Sequence, residues 1–201
     1  MKKFKHLTAL LLVFVLAFAF VSCGDDAVKE AEQTVHNMFS ALKAFDLEAL
    51  NKFVEDSEDI TDTDNALLTE NTEEVVKAMF GGVDYKIISS EQIDEDTVNV
   101  KTSITAIDMK PVFKDFFASA MQLAFTSAFS DMSEDELTAK MEEMLWEKIT
   151  APDLDKITTE VTLEVSKEDG IWKVDADDNF SDALMGGLEE AVEEIESSFG
   201  G

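Results

Sequence analysis

Apolar residues recur along this chain in two distinct rhythms. Val28, Ala31, Val35, Met38, Leu42 and Phe45 follow one another at alternating spacings of three and four. That spacing lays one stripe on a helix and predicts a helix over about 27–44. Asp46 then offers an acceptor for the first N–H groups of a short second helix, with Leu47, Leu50 and Phe53/Val54 facing inward. The acidic stretch EDSEDITDTDN, 55–65, reads as a loop. Beyond it, Asn71 with Glu74 has the form of a capping box ahead of Val75, Val76, Met79 and Phe80, and Gly81-Gly82 ends that third helix.

From Val83 the period drops to two. Val83, Tyr85 and Ile87 alternate with Asp84 and Lys86; after the acidic turn Asp94-Glu95-Asp96, Val98, Val100, Thr102, Ile104 and Ala106 alternate with polar residues. This predicts an antiparallel hairpin. A second hairpin follows much later. Ile157, Thr159, Val161, Leu163 and Val165 form its first strand, Asp169-Gly170 the turn, and 171–175 the return. Between the hairpins lies a helical insertion, about 109–151. Its first part, 109–129, is apolar on most sides and carries no charge after Asp115. Ser133 with Glu136 makes a second capping box, and Pro152 ends the insertion. A last helix is predicted with Phe180, Leu184, Leu188, Ala191, Ile195 and Phe199 on one stripe and glutamates largely facing water.

The N-terminus departs from all of this. Lys2, Lys3 and Lys5 precede a 15-residue apolar run from Leu7 to Val21, broken only by Thr8. That is the length of a secretory signal and short of the ~20 residues a spanning helix needs. The run stops at Val21-Ser22-Cys23 and turns acidic at Asp25. The segment resembles a bacterial lipoprotein signal, in which small residues precede a cysteine that is diacylated and becomes the mature N-terminus. Phe20 stands where leucine is usual. The resemblance implies a cleaved signal peptide at 1–22, a mature domain at 23–201, and lipidation at Cys23. Two acyl chains give stable anchoring where one does not.

Composition sharpens this division. The whole chain carries a formal −28, and all 16 of its basic residues are lysine. Three of those lysines precede Cys23 and every one of the 44 acidic residues follows it, so the mature part stands at −31. A nucleic-acid backbone would be repelled by that charge, and the absence of arginine removes the usual bidentate phosphate fork. One cysteine rules out a disulfide scaffold. An apolar content of 45% with 15 phenylalanines gives a core enough material.

Helices first and an antiparallel sheet afterwards indicate an α+β class. The stretch TVHNMFSALKAFDLEALNKFV, with the later EDGIWKVDADDNF, resembles small bacterial lipoproteins of the NTF2-like (cystatin-like) superfamily, of the DUF4878/DUF5105 type. Ala41, Leu42, Lys43, Asp46, Gly170, Trp172, Lys173 and Val174 carry the likeness. It implies N-terminal helices packed on a curved antiparallel sheet, an NTF2-like cone whose concave face often makes a pocket. It implies no chemistry, because that fold hosts enzymes, binders and assembly subunits alike.

Candidate chemistry is sparse. His36 is the one histidine after Cys23, so no Ser-His-Asp or Cys-His arrangement with a second histidine is open. Tyr85, the single tyrosine, is read as a ring packed in the cone, with an oxyanion donor as the alternative. Asp175-x-Asp177-x-Asn179 begins like a calcium loop but has Phe180 where glycine is needed and Gly186 where a bidentate glutamate belongs, so it reads as a helix N-terminus. The acids of 56–64 lack the same glycine. No metal site and no cofactor are expected. Phe113, Phe116, Phe117 and Phe125, with Tyr85, are the candidates for an apolar pocket or interface; the helix carrying the four phenylalanines is core, pocket wall or contact surface.

The expected role is a membrane-anchored, extracytoplasmic lipoprotein that binds a small apolar ligand or an envelope protein without enzymatic activity. Its partners would be the bilayer through acylated Cys23, that ligand or protein, and a second copy in a homodimer, with no nucleic acid. Two alternatives stand beside it: an NTF2-like enzyme doing proton transfer in the cone, and an envelope assembly or stress protein acting by dimerisation. Mass spectrometry of the membrane fraction is expected to find a chain beginning at a diacylated Cys23. An intact Met1 or an unmodified Cys23 contradicts the lipoprotein reading.

Overall fold

The stripe that begins at Val28 forms one long helix laid across a four-stranded sheet. The computed structural model describes residues 21–55, 70–130 and 132–199. Within them, α1 runs Val21–Ala44, α2 Leu47–Leu50 and α3 Glu70–Gly81. Strands β1 (Asp84–Gln92) and β2 (Thr97–Ile107) follow, then α4 (Met109–Ser127) and α5 (Glu134–Ile149). The chain closes with β3 (Lys156–Glu168), β4 (Ile171–Val174), α6 (Asp178–Leu184) and α7 (Leu188–Phe199). The fold is therefore α+β, with N-terminal helices on a curved, unclosed antiparallel sheet, a helical insertion between the two hairpins, and a helical C-terminus. Residues 1–20, which hold most of the expected signal peptide at 1–22, lie outside the described residues, as do residues 56–69, with most of the acidic stretch 55–65, and the Asn71 and Cys23 side chains.

The sheet has the order β1-β2-β3-β4, every pair antiparallel. Its inner face takes Val98, Val100, Thr102, Ile104 and Ala106 from β2, Val161, Leu163 and Val165 from β3, and Trp172 and Val174 from β4, all buried. The outer face keeps the polar half of the alternation: Thr105 and Thr158 share a 2.8 Å hydroxyl contact, and Lys101 meets Glu160 at 2.8 Å. Against the inner face, α1 buries Ala31, Val35, Met38, Phe39 and Leu42. A second cluster gathers at the far end, where Val75 and Met79 of α3 meet Ile107, Met109, Val112 and Ile149. It joins α3, α4 and α5 to the end of β2.

Four details differ from the sequence reading. Helix α1 already includes Val21, the first described residue, and so extends N-terminal of Ala27. Glu70 is already helical, so Asn71 lies inside α3 rather than before it. In β1 the strict alternation fails at a bulge: Ile87 pairs with Thr102 and Ser89 with Lys101, leaving Ile88 without a partner. The extra residue reverses the facing of everything after it. Ser90 is thereby turned towards α1, where its hydroxyl donates to Glu32 Oε1 at 2.7 Å.

The fourth concerns the C-terminal helix, which is two helices. Gly186 and Gly187 adopt φ of 57° and 76° and end α6 before α7 begins. The Gly186 carbonyl accepts from Met109 N at 2.9 Å, and a Cβ on Gly186 would stand 1.9 Å from the Ile107 carbonyl oxygen. The break is thus dictated by the close passage of the β2–α4 junction. The stripe is split between two cores, with Phe180 and Leu184 in the sheet core and Leu188 against the second cluster.

Gly170 is the control for this site. It has φ of 83° in the β3–β4 turn but nothing within 4 Å of an added Cβ. Gly170→Ala should cost about 1 kcal/mol of stability, the left-handed term alone. Gly186→Ala should cost several times that, read as the shift of a urea midpoint at constant slope. Equal losses would contradict the steric account of the break.

Candidate functional site

Helix α1 ends by reversing the chain. Phe45 takes a left-handed φ of 54°, Asp46 N donates to Ala41 O at 2.9 Å, and Phe45 N donates to Leu42 O at 3.0 Å. This is a Schellman arrangement carried by a residue other than glycine, held in place as Lys77 Nζ sits 5.3 Å from the Phe45 ring. Asp46 then caps α2, its carboxylate accepting from Ala49 N at 2.9 Å. The chain continues alongside β4: Val174 N donates to Phe53 O at 2.8 Å, and Glu55 N donates to Val174 O at 2.9 Å. Residues 53–55 thereby cover the outer edge of β4 at Val174, where it would otherwise offer unpaired backbone groups.

This path leaves a space. Between the end of α1, α2 and the 53–55 segment on one side, and α6 on the other, lies a cavity of about 450 Å³. Leu42, Leu47, Leu50 and Val54 line the first side, and Ala176, Phe180, Leu184 and Met185 the second, with Phe80 of α3 between them. Polar lining comes from Glu55, Asp175 and Ser181. The Ser166 hydroxyl of β3 donates to Glu55 Oε1, which ties one of those carboxylates to the sheet. A mostly apolar concavity of this size with a few fixed polar groups is the form a small-molecule site takes.

The candidate residues fall into two groups. Tyr85 is half-buried on β1 and stacks on Phe39 at 4.0 Å and 8°. Phe39 in turn meets Phe180, a lining residue, edge-on at 6.0 Å. Tyr85 therefore stands one ring behind the cavity wall. Its hydroxyl lies 2.6 Å from His36 Nδ1 on α1. Burial pushes the Tyr85 phenol above its ordinary range, with Lys43 pulling weakly the other way. The proton-transfer reading requires a carboxylate beside that phenol. The group found there is instead the imidazole of His36, while Glu32, one turn earlier, bonds Ser90. Nothing in the sequence links His36 to Tyr85, since they are 49 residues apart and meet only because α1 crosses the sheet edge.

Phe113, Phe116, Phe117 and Phe125 all sit on α4, away from the cavity. The first three are half-buried, and Phe125 is 70% exposed beside Phe129 at 80%. Helix α4 is held by α5 and α7, with Lys110 and Lys114 paired to Glu190 and Glu194. Met121, Phe125, Phe129 and, on α5, Trp146 leave an apolar surface on this hairpin.

The Asp175–Asn179 segment behaves as a helix start: Asp177 Oδ1 accepts from Phe180 N at 2.8 Å and Oδ2 from Asn179 Nδ2 at 2.8 Å. Among the described residues no group of three His, Cys, Asp or Glu side chains is placed to hold a metal ion. No described helix is long and apolar enough to cross a membrane.

No family model matches this chain, and no curated protein does. A solved structure shares its fold: a protein of Bacillus subtilis described as a "putative lipoprotein (ycdA)" superposes with a TM-score of 0.53 at 15% identity, over 81% of this chain and 57% of the other. This chain thus spans little more than half of that protein's length. At that identity the likeness carries the fold and leaves the site to be argued from its own residues.

The exposure difference along α4 has a direct consequence. Phe125→Asp should leave thermal stability within about 0.5 kcal/mol of the parent, as substitutions at exposed positions do. Phe116→Asp, at a half-buried position, should cost about 1–3 kcal/mol. Comparable large losses from both would place Phe125 in a packed core and contradict the exposed hairpin.

Proposed function

We propose that this chain is a lipid-anchored, extracytoplasmic binding module without catalytic activity, and that the cavity between α1–α2 and α6 receives a small apolar ligand. The observation that carries this reading is the cavity itself: nine apolar side chains from four helices and three connecting segments converge on about 450 Å³, a volume typical of ligand sites. The lipoprotein assignment draws on the signal-like N-terminus ending at Cys23 and on the fold shared with the Bacillus subtilis protein. We further read the α+β architecture as NTF2-like, since long N-terminal helices lie on the concave side of a bent antiparallel sheet. The non-enzymatic part of the reading draws on Tyr85, whose phenol is met by His36 and packed on Phe39 rather than set against a carboxylate.

A second reading, capture of an envelope protein, is favoured by one observation. Met121 and Phe125 on α4 and Phe129 just past its end are more than half exposed, and the Phe125 and Phe129 rings meet at 5.3 Å. The run from Phe116 to Ser130 carries no charged residue, in contrast to the acidic character of the chain after Cys23. Sedimentation of the chain distinguishes a homodimer from a monomer awaiting another partner.

Native mass spectrometry of the acylated chain released from its membrane tests the cavity reading. The parent should carry a co-purifying molecule of small-ligand mass. Ala176→Phe, which adds a ring at the cavity wall, should lose it while keeping the parent's circular dichroism. A parent free of adduct, and unable to retain any added apolar compound, contradicts the proposal.

A further inference from the structure

The start of α1 and the tips of both hairpins share one end of the sheet. Glu30 Oε2 accepts from Trp172 Nε1 at 2.7 Å and meets Lys167 Nζ at 3.3 Å. Lys167 and Trp172 are a cross-strand pair one step short of the 169–170 turn. Lys167 N also donates to Asp96 O at 2.8 Å, which brings the 94–96 turn to the same place. Helix α1 then runs away from this end, since Lys43 reaches Asp84, the first residue of β1, at 3.0 Å.

Both the helix start and the hairpin continue past the Glu30–Trp172 bond. From Glu30 back to position 23 is seven helical residues, about 10 Å at 1.5 Å each. Beyond Lys167 the hairpin runs through Glu168 into the 169–170 turn. Position 23 and the hairpin tips therefore lie past the same hydrogen bond, at one end of the sheet. No long linker separates the two, because Ala27 and Val28 already pack on the core, four and five residues after position 23. A chain anchored at position 23 cannot drift from its anchor as it would on a long polar linker.

Two isoleucines mark this end. Ile93 opens the first turn and Ile171 closes the second, and they are 53% and 57% exposed. We infer that the two hairpin tips rest on the lipid surface, with Ile93 and Ile171 entering the bilayer interface as a second contact beside the acylated Cys23. This inference rests on the lipid anchor proposed above. The tips also carry Asp94, Glu95, Asp96, Glu168 and Asp169. Those carboxylates stay in headgroup water, are repelled by anionic lipid, and are accommodated by the ammonium ends of zwitterionic headgroups. The contact is therefore shallow and belongs to zwitterionic lipid. Because α4 leaves the sheet after Ile107, the opposite end of β2, the same posture presents the cell-envelope space with the hairpin of α4 and α5.

The test uses the full acylated chain in phosphatidylcholine vesicles containing nitroxide-labelled lipid. Acylation blocks the Cys23 thiol, so a fluorophore attaches only to cysteines introduced as Ile93→Cys, Ile171→Cys or Phe129→Cys. Labels at 93 and 171 should be quenched severalfold more than the label at 129, and replacing part of the lipid with phosphatidylglycerol should weaken that quenching. Amide exchange of the unlabelled chain should slow at 93–96 and 169–171 on vesicles relative to detergent. An acylated, vesicle-bound chain with equal quenching at all three positions and unchanged exchange overturns the inference alone. A chain that is unacylated and leaves the vesicles overturns the anchor and this inference together.

Discussion

The packing of α1 against the inner face of the sheet is the constraint from which the remaining features follow. Ala31, Val35, Met38 and Phe39 are fully removed from solvent on that face. At roughly 1.5–3 kcal/mol for each large apolar side chain, their burial dominates any polar contact on the same helix. The polar contacts decide the helix's position instead. Glu30 takes hydrogen bonds from Trp172 and lies beside Lys167, Glu32 takes one from Ser90, His36 meets Tyr85, and Lys43 meets Asp84. These contacts run diagonally from the β3–β4 tip to the start of β1, so they fix both the crossing direction and the helix register. The Trp172 indole, followed by Lys167, holds the Glu30 carboxyl below its ordinary range, as expected of an acid that stays ionised at its post.

Two left-handed backbone positions turn that packing into a cavity. Phe45 bends the chain at one end of α1 so that α2 lies beside the helix it follows. Gly186 ends α6 where the β2–α4 junction passes, so α6 stops on the sheet core and α7 moves to the second cluster. A continuous last helix would carry its stripe past the junction and collide with the Ile107 carbonyl. The space between α2 and α6 is thus what remains when two helices are each held short by the backbone. Apolar residues line it because the same side chains that face the core also face the gap.

Much of this was legible in the sequence, and the exceptions have physical causes. The α1 stripe, the Asp46 and Ser133 caps, both hairpins and the Asp169-Gly170 turn rest on contacts within a few residues, where pattern and propensity act. The β1 bulge was hidden because Val83, Tyr85 and Ile87 keep perfect alternation up to the residue that breaks it. The split at Gly186 was hidden because the stripe through Phe180, Leu184 and Leu188 continues across it; the adjacent pair of glycines was the available signal. The cavity was least accessible, since Leu42, Val54, Phe80 and Phe180 come from four separate parts of the chain. The phenylalanines of α4 stand out in composition, yet none of them lines the cavity.

On the proposed function, the α1–α2–α6 gap is a binding cavity for an apolar molecule rather than a packing imperfection. Equilibrium titration of the chain with the neutral dye phenylnaphthylamine, followed by fluorescence in the parent and in Leu47→Trp, tests this most directly. The account predicts saturable binding at one site per chain in the parent and at least a tenfold weaker affinity when the added indole occupies the space. Unsaturable binding in the parent, or equal affinity in the two proteins, contradicts it.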